Sequence, residues 1–278
     1  MAITVTVAEK KILQNVDIPP RPEALLKVSE EARKPEPDVS VIAHAIAGDI
    51  SISAAVLQVV NSAAFRRVRE IESIEQAVMI LGLRRILPIV KAVALKSSMK
   101  QDPILDEFWD DANKIAQACA IVAAQLEKPQ LADNAYMLGL FHAAAVPVMV
   151  QNYPEYKEVL HQAEEEGWDY HILQLERDKF GTTHTTIGAL LGQKWKLAKD
   201  LVEVIYYQHD TSGIFSSTEL SKVGLWMLAI LKIARHVVYM DRADTAEWDT
   251  VQDPILEFLD LEDADLEYIF DQVSKKLS

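Results

Sequence analysis

The sequence predicts an all-α protein. Nine glycines among 278 residues are about half the usual share of ~7%, which disfavours a glycine-rich β-sandwich or barrel. Apolar residues recur at three- and four-residue steps through most of the chain, and no clear run of alternating polar and apolar residues indicates a strand. Half of the residues are hydrophobic and a quarter are charged, so the chain can bury a core.

Five helices are predicted before residue 102. Pro22 can occupy the first turn of the first helix, because proline lacks the amide hydrogen that a helix interior needs. Asp38, Asp49 and Ser73 stand at the starts of the next three helices, where a side-chain oxygen can accept a free amide hydrogen. Gly82 ends the fourth helix, and the fifth follows it to residue 99.

A long buried helix is predicted from Ile104 to Leu126, and Pro129 lies beyond its end. Seven further helices are predicted at 133–150, 154–166, 170–180, 183–195, 199–208, 218–239 and 262–276. The pair Asp102-Pro103 marks a subdomain junction. The predicted organisation is a lead-in over 1–17, a helical subdomain over 18–101, a larger one over 102–240 and an acidic helical extension over 241–278.

The net charge of −14 is unevenly spread, since the first 100 residues carry +3 and the rest carry −17. This acidity disfavours general binding of nucleic acid. Basic residues nevertheless cluster in the first part, and an acidic partner would complement them. The candidate partner-binding residues are Arg66, Arg67, Arg69, Arg84 and Arg85. Acidic side chains from the second part of the same chain could supply the counter-charge instead.

Several function classes lack their motifs. The chain contains neither a Gly-rich dinucleotide loop nor a P-loop, and neither HExxH nor GxSxG occurs. The single cysteine, Cys119, lies in an apolar run and is predicted to be a core residue. No signal peptide and no apolar stretch of ~18 residues is found, so we expect a cytoplasmic protein that does not span a membrane.

The run from Gly48 to Phe65 resembles the signature of HDOD domains, the HD-related output domains of bacterial signalling proteins. The residues that match the family pattern in order are Asp49, Asn61, Ser62, Ala63, Phe65, Gly82, Trp109, Glu176 and Trp195. The resemblance runs from about Ile18 to about Tyr239. It implies a multi-helix bundle like that of HD-domain phosphodiesterases, with a smaller N-terminal helical subdomain.

The related HD phosphohydrolases bind divalent metal through histidines and aspartates. By this resemblance, Asp111, Ala143 and Arg235 stand where three ligands should be, and a cation such as Arg235 repels a metal. The vestigial ligand candidates are His142, His184, His209 and Asp210. We expect no bound metal or other cofactor, and we expect these histidines to be hydrogen-bonded core or helix-end residues.

Three functions remain open. The favoured hypothesis is a non-enzymatic signalling protein that binds an unidentified signalling partner. The match leaves about 17 residues before it and about 39 after it, so the input is expected to arrive by association with another protein. The alternatives are a metal-dependent phosphohydrolase that uses the remaining ligands, and a nucleotide or nucleic-acid binder that uses the arginine cluster. The oligomeric state is not predicted.

Overall fold

A computed structural model describes residues 16–19, 21–62, 64–65, 70–99, 102–211, 213–240 and 246–277. Within these residues every regular element is a helix, as predicted. The α-helices are α1 (Glu23–Glu31), α2 (Val39–Ala47), α3 (Ile50–Val60), α4 (Ile74–Ser98), α5 (Asp106–Gln125), α6 (Ala132–Phe141), α7 (Ala145–Asn152), α8 (Tyr156–Glu166), α9 (Tyr170–Phe180), α10 (His184–Lys194), α11 (Lys199–Tyr207), α12 (Lys222–Tyr239), α13 (Ala246–Leu259) and α14 (Asp263–Leu277). None of these helices is by itself both long and apolar enough to cross a membrane, although α2 and α3 together meet that test as a pair bent by 110°.

The predicted helix starts in the N-terminal part are confirmed. Asp38, Asp49 and Ser73 each accept an amide hydrogen from the first turn of the helix that follows. Gly82 has φ +73°, a left-handed value that costs glycine little, and it breaks α4 into two helical segments. The predicted fourth and fifth helices are therefore the two segments of α4.

Two family-signature residues stabilise the connection between α3 and α4. The carboxamide of Asn61 donates to the carbonyl of Ile71 at 2.8 Å and accepts from the amide of Ile71 at 2.9 Å. The ring of Phe65 packs edge-on against Tyr136 of α6, with 5.1 Å between ring centroids. Asn61 thus links the end of α3 to Ile71 and Phe65 packs on α6, so both family-signature residues make structural contacts. Ala63 lies outside the described residues.

One predicted helix was wrong, and one helix within the predicted helical extension was not identified. The predicted helix 133–150 is interrupted between α6 and α7, because Pro147 would place its ring against the carbonyl of Ala143 in a continuous helix. Helix α13 was not predicted, although Trp248, Val251 and Ile255 follow helical spacing and are buried.

Helices α5 and α6 pack closely at Gly139. A Cβ atom at this position would lie 2.5 Å from the Cα of Ala116. We therefore expect Gly139→Ala to lower the free energy of unfolding by about 1–3 kcal/mol, because the helix backbones must separate. The control is Gly224→Ala in α12, where the added Cβ has ordinary contacts and should be neutral or stabilising. Equal unfolding midpoints in denaturant for the two variants would contradict the close approach.

Candidate functional site

A buried glutamate orients the first of two neighbouring histidines. Glu176 of α9 accepts hydrogen bonds from the backbone amide of His184 at 3.0 Å and from the hydroxyl of Tyr156. The Nδ1 atom of His184 lies 3.0 Å from both carboxylate oxygens of Glu176. His184 is the first residue of α10, and Thr183 caps that helix. Glu176, a residue of the family pattern, therefore pairs with a buried histidine.

A second glutamate binds three side chains. Oε2 of Glu247, in α13, lies 2.8 Å from Nδ1 of His209, and Oε1 lies 2.6 Å from the ammonium of Lys232. Nη1 of Arg235 lies 3.5 Å from Oε1 of Glu247 and 3.3 Å from Nδ1 of His209. The other guanidinium nitrogen, Nη2, donates to the carbonyl of Trp168 at 2.6 Å. All four side chains of this group are buried.

The two histidines meet at their other ring nitrogens. The Nε2 atoms of His184 and His209 lie 3.3 Å apart. Each Nδ1 faces a carboxylate, which favours a hydrogen on Nδ1 of each ring, so Nε2 of the neutral His209 ring carries a lone pair. Beside them is a cavity of about 10 Å³, which is room for about one water molecule. His142 and Ala143 also line this cavity.

His142 is a hydrogen-bonded core residue, as the sequence predicted. Its Nδ1 donates to the carbonyl of Gly139 at 2.6 Å, and its own carbonyl accepts from the Gln208 side chain at 2.7 Å. Burial lowers the pKa of His142 to about 3, and the nearby Arg235 adds to the effect. The ring is therefore neutral at pH 7.

Opposite charges and burial set the protonation states of Glu247 and His209. Burial alone would raise the pKa of Glu247, but the cations of Lys232 and Arg235 outweigh burial and hold this pKa well below its usual range. Burial lowers the pKa of His209 to about 3, although the carboxylate of Glu247 opposes the shift. Glu247 is therefore ionised and His209 is neutral at pH 7.

The residues present do not fit a metal centre. Two carboxylate-bound imidazoles with neighbouring Nε2 atoms do resemble part of a ligand set. Among the described residues, however, no group of three His, Cys, Asp or Glu side chains could hold an ion. The carboxylate of Glu247 is already balanced by the cations of Lys232 and Arg235, and these two buried cations would repel an added divalent ion.

The other predicted site residues are dispersed. Asp111 is buried in α5, and its carboxylate lies 3.7 Å from the ammonium of Lys114. Asp210 lines a neighbouring cleft of about 300 Å³ together with Arg177 and Tyr170, and His209 lines both this cleft and the histidine cavity. Of the sequence candidates, the structure therefore brings together His142, His184, His209, Ala143 and Arg235.

The arginine cluster is described in part. Arg85 pairs with Asp133 at 3.0 Å, so the acidic part of the same chain supplies its counter-charge, which is the alternative that the sequence left open. Arg84 is exposed. Arg66, Arg67 and Arg69 lie outside the described residues.

Sequence reasoning missed Glu247, Lys232 and Trp168. Glu247 lies in the helix that was not predicted. Lys232 is flanked by apolar residues in α12, and a lysine in such a helix is a signal of a buried acidic partner. Trp168 contributes a backbone carbonyl to this group, which a sequence pattern cannot show.

Crystal structures of other bacterial proteins share this fold. A protein of Shewanella amazonensis whose name proposes a phosphohydrolase is 23% identical, with a TM-score of 0.70 over 98% of this chain and 99% of that one. An HDOD domain protein of unknown function from Geobacter sulfurreducens is 20% identical, with a TM-score of 0.63 over 97% of both chains. A protein of Marinobacter aquaeolei whose name proposes signal transduction is 20% identical, with a TM-score of 0.70 over 99% of this chain and 60% of that one. Likeness at this level of identity shows the fold alone.

Two curated sequences are related to this chain. An uncharacterized protein of Treponema pallidum (strain Nichols) is 27% identical over 197 residues, which are 70% of this chain and 38% of that protein. The uncharacterized protein YuxH of Bacillus subtilis (strain 168) is 29% identical over 136 residues, 48% of this chain and 33% of that protein. The chain thus matches well under half the length of either relative. The HDOD domain itself matches residues 18–211, and on this match the chain belongs to the HDOD domain family.

Proposed function

We propose that this protein is a non-enzymatic regulatory protein that acts by binding another protein. The observation that carries the proposal is the contact of Arg235 with Glu247 and His209. The resemblance to HD phosphohydrolases places an acidic metal ligand at this position. A buried guanidinium here, with the ammonium of Lys232 beside it, opposes the binding of a divalent cation.

A second observation supports the proposal. Ala143 follows His142 where the HD enzymes carry an aspartate, so the methyl side chain offers no oxygen to a metal or to water. The partner is expected to be another signalling protein. Arg84 is the exposed arginine of the cluster among the described residues and is the first position at which to test partner binding.

A metal-dependent phosphohydrolase is the second candidate. The observation in its favour is the approach of the two Nε2 atoms of His184 and His209 to 3.3 Å, with each Nδ1 held by a carboxylate. This arrangement is common among metal-bound histidines. The charge balance around Arg235 is the reason that we rank this candidate second.

The test is elemental analysis of the purified protein, with hydrolysis measured against nucleotides and cyclic dinucleotides in added Mn²⁺. We expect metal far below one equivalent and no turnover above the buffer rate. Stoichiometric metal, together with turnover that His142→Ala abolishes, would establish the phosphohydrolase instead. The matched control is His161→Ala, because His161 is an exposed residue of α8 that does not line the histidine cavity.

A further inference from the structure

A cleft lined by many polar side chains lies where α3 and α4 approach α5 and α6. Its volume is about 630 Å³, within the range of small-molecule sites, and α3, α4, α5 and α6 each turn one face toward it. Hydrogen-bonding side chains line it at helical spacing: Gln58, Ser62, Lys96, Asn113, Lys114 and Gln117. Residues that face a neighbouring helix are normally apolar, and their side chains normally fill the space between the helices.

The ammonium of Lys96 is available to a ligand. It lies 5.6 Å from the ring centroid of Trp109 and forms no ion pair with any described carboxylate. Burial lowers the pKa of Lys96, while Asp110 and Asp106 oppose the shift. Lys114, which also lines the cleft, lies 3.7 Å from Asp111, at the long end of ion pairing. The lining of the cleft therefore includes the cations of Lys96 and Lys114 and the carboxylate of Asp110, while Asp111 partly balances Lys114.

A buried hydroxyl adds an independent observation. The Oγ atom of Ser62 is inaccessible to solvent and has no hydrogen-bond partner among the described residues. An unpaired buried polar atom is costly, and its presence in a native protein calls for an explanation. Ser62 itself lines this cleft, so rotation about its Cα–Cβ bond would turn the hydroxyl toward a bound molecule that supplies the missing partner.

We propose that this cleft binds a nucleoside phosphate. A phosphate group matches the ammonium groups of Lys96 and Lys114. The carboxamides of Gln58, Asn113 and Gln117 each present a donor and an acceptor, as the edge of a nucleobase requires. The apolar side chains of Val59, Val93 and Leu140 are suited to the face of the base, and Asp110 can accept from ribose hydroxyls.

This inference is separate from the proposed function. Helix α5 divides the two regions, because Phe108, Ala112 and Ile115 line the histidine cavity whereas Asn113 and Gln117 line the cleft. Nucleotide binding in the cleft and catalysis at the histidines can therefore fail independently, and different variants test them.

The test is isothermal titration calorimetry of the full chain with AMP, GMP, CMP and UMP, with adenosine and inorganic phosphate as separate probes. We expect at least one nucleotide to bind with 1:1 stoichiometry, and adenosine and phosphate each to bind at least about tenfold more weakly. Lys96→Gln should weaken nucleotide binding about tenfold. Lys276→Gln is the control, since it makes the same charge change at an exposed position of α14.

Ser62→Ala separates binding from folding. Because the hydroxyl has no partner in the free protein, its removal should leave the thermal midpoint unchanged or raised while it weakens nucleotide binding. Three results would overturn the proposal. These are no saturable binding of the four nucleotides up to about 1 mM, affinities in Lys96→Gln and Ser62→Ala equal to that of Lys276→Gln, or inorganic phosphate binding as tightly as a nucleotide.

Discussion

Glu247→Gln is expected to lower the free energy of unfolding by about 3–5 kcal/mol, the cost of leaving buried charges without their partner. Glu247 is the carboxylate that contacts both Lys232 and Arg235, and all three side chains are buried. A glutamine keeps the shape but removes the negative charge. Its amide also presents hydrogens toward a lysine, an arginine and a histidine that are themselves donors.

Chemical denaturation monitored by circular dichroism measures this change. Glu257→Gln makes the same substitution at an exposed position of α13 and should change stability by less than about 0.5 kcal/mol. Adding Lys232→Met to Glu247→Gln removes one uncompensated cation, so part of the lost stability should return. A loss under about 1 kcal/mol for Glu247→Gln would show that the charges find other partners.

Stability should also fall steeply as pH is lowered below about 6.5. Burial lowers the pKa of both His142 and His209 to about 3 in the folded protein, from 6.5 in the unfolded chain. Between these values the unfolded chain binds more protons, so stability is full above about pH 6.5 and is lost as pH falls toward 3. Each histidine contributes up to about 1.4 kcal/mol per pH unit.

Neighbouring groups also affect the pKa values of these histidines and the pH dependence of stability. Arg235 and the ring of His184 face both histidines and disfavour their protonation, whereas Glu247 favours protonation of His209. Glu247 has a folded-state pKa well below 4.5, so its contribution is also lost as pH falls below about 4.5. The measurement is the free energy of unfolding in urea between pH 4 and 7.

Matched histidine variants make this prediction specific. His142→Asn retains a donor that can reach the Gly139 carbonyl but does not titrate, so it should flatten the pH dependence. His161→Asn changes an exposed histidine and should leave the slope unchanged. Identical slopes in both variants would mean that His142 is protonated in the folded protein at the same pH as in the unfolded one.

The sequence predicted the helices where local chemistry determines them. Asp38, Asp49 and Ser73 accept nearby amide hydrogens, and Gly82 has a backbone conformation that suits glycine, so each acts within a few residues. The site was predicted in part for the same reason. His142 and Ala143 are adjacent in the chain, and the resemblance aligns them with a histidine and an aspartate of the HD enzymes.

The missing parts of the site depend on distant residues. Glu247 contacts His209 across 38 positions, and Arg235 contacts Trp168 across 67. No local pattern encodes these pairs. The break before α7 was missed for a different reason, because the apolar spacing on either side of it continues as though the helix were unbroken.

The salt-bridge group around Glu247 also bears on where the cooperative folding unit ends. The family match stops at residue 211, yet Lys232, Arg235 and Glu247 all lie beyond it and complete the contacts of His209. A fragment cut at the family boundary would leave His209 and the surrounding apolar surface exposed to water. We therefore expect the cooperative folding unit to extend at least through α13, beyond the end of the family match.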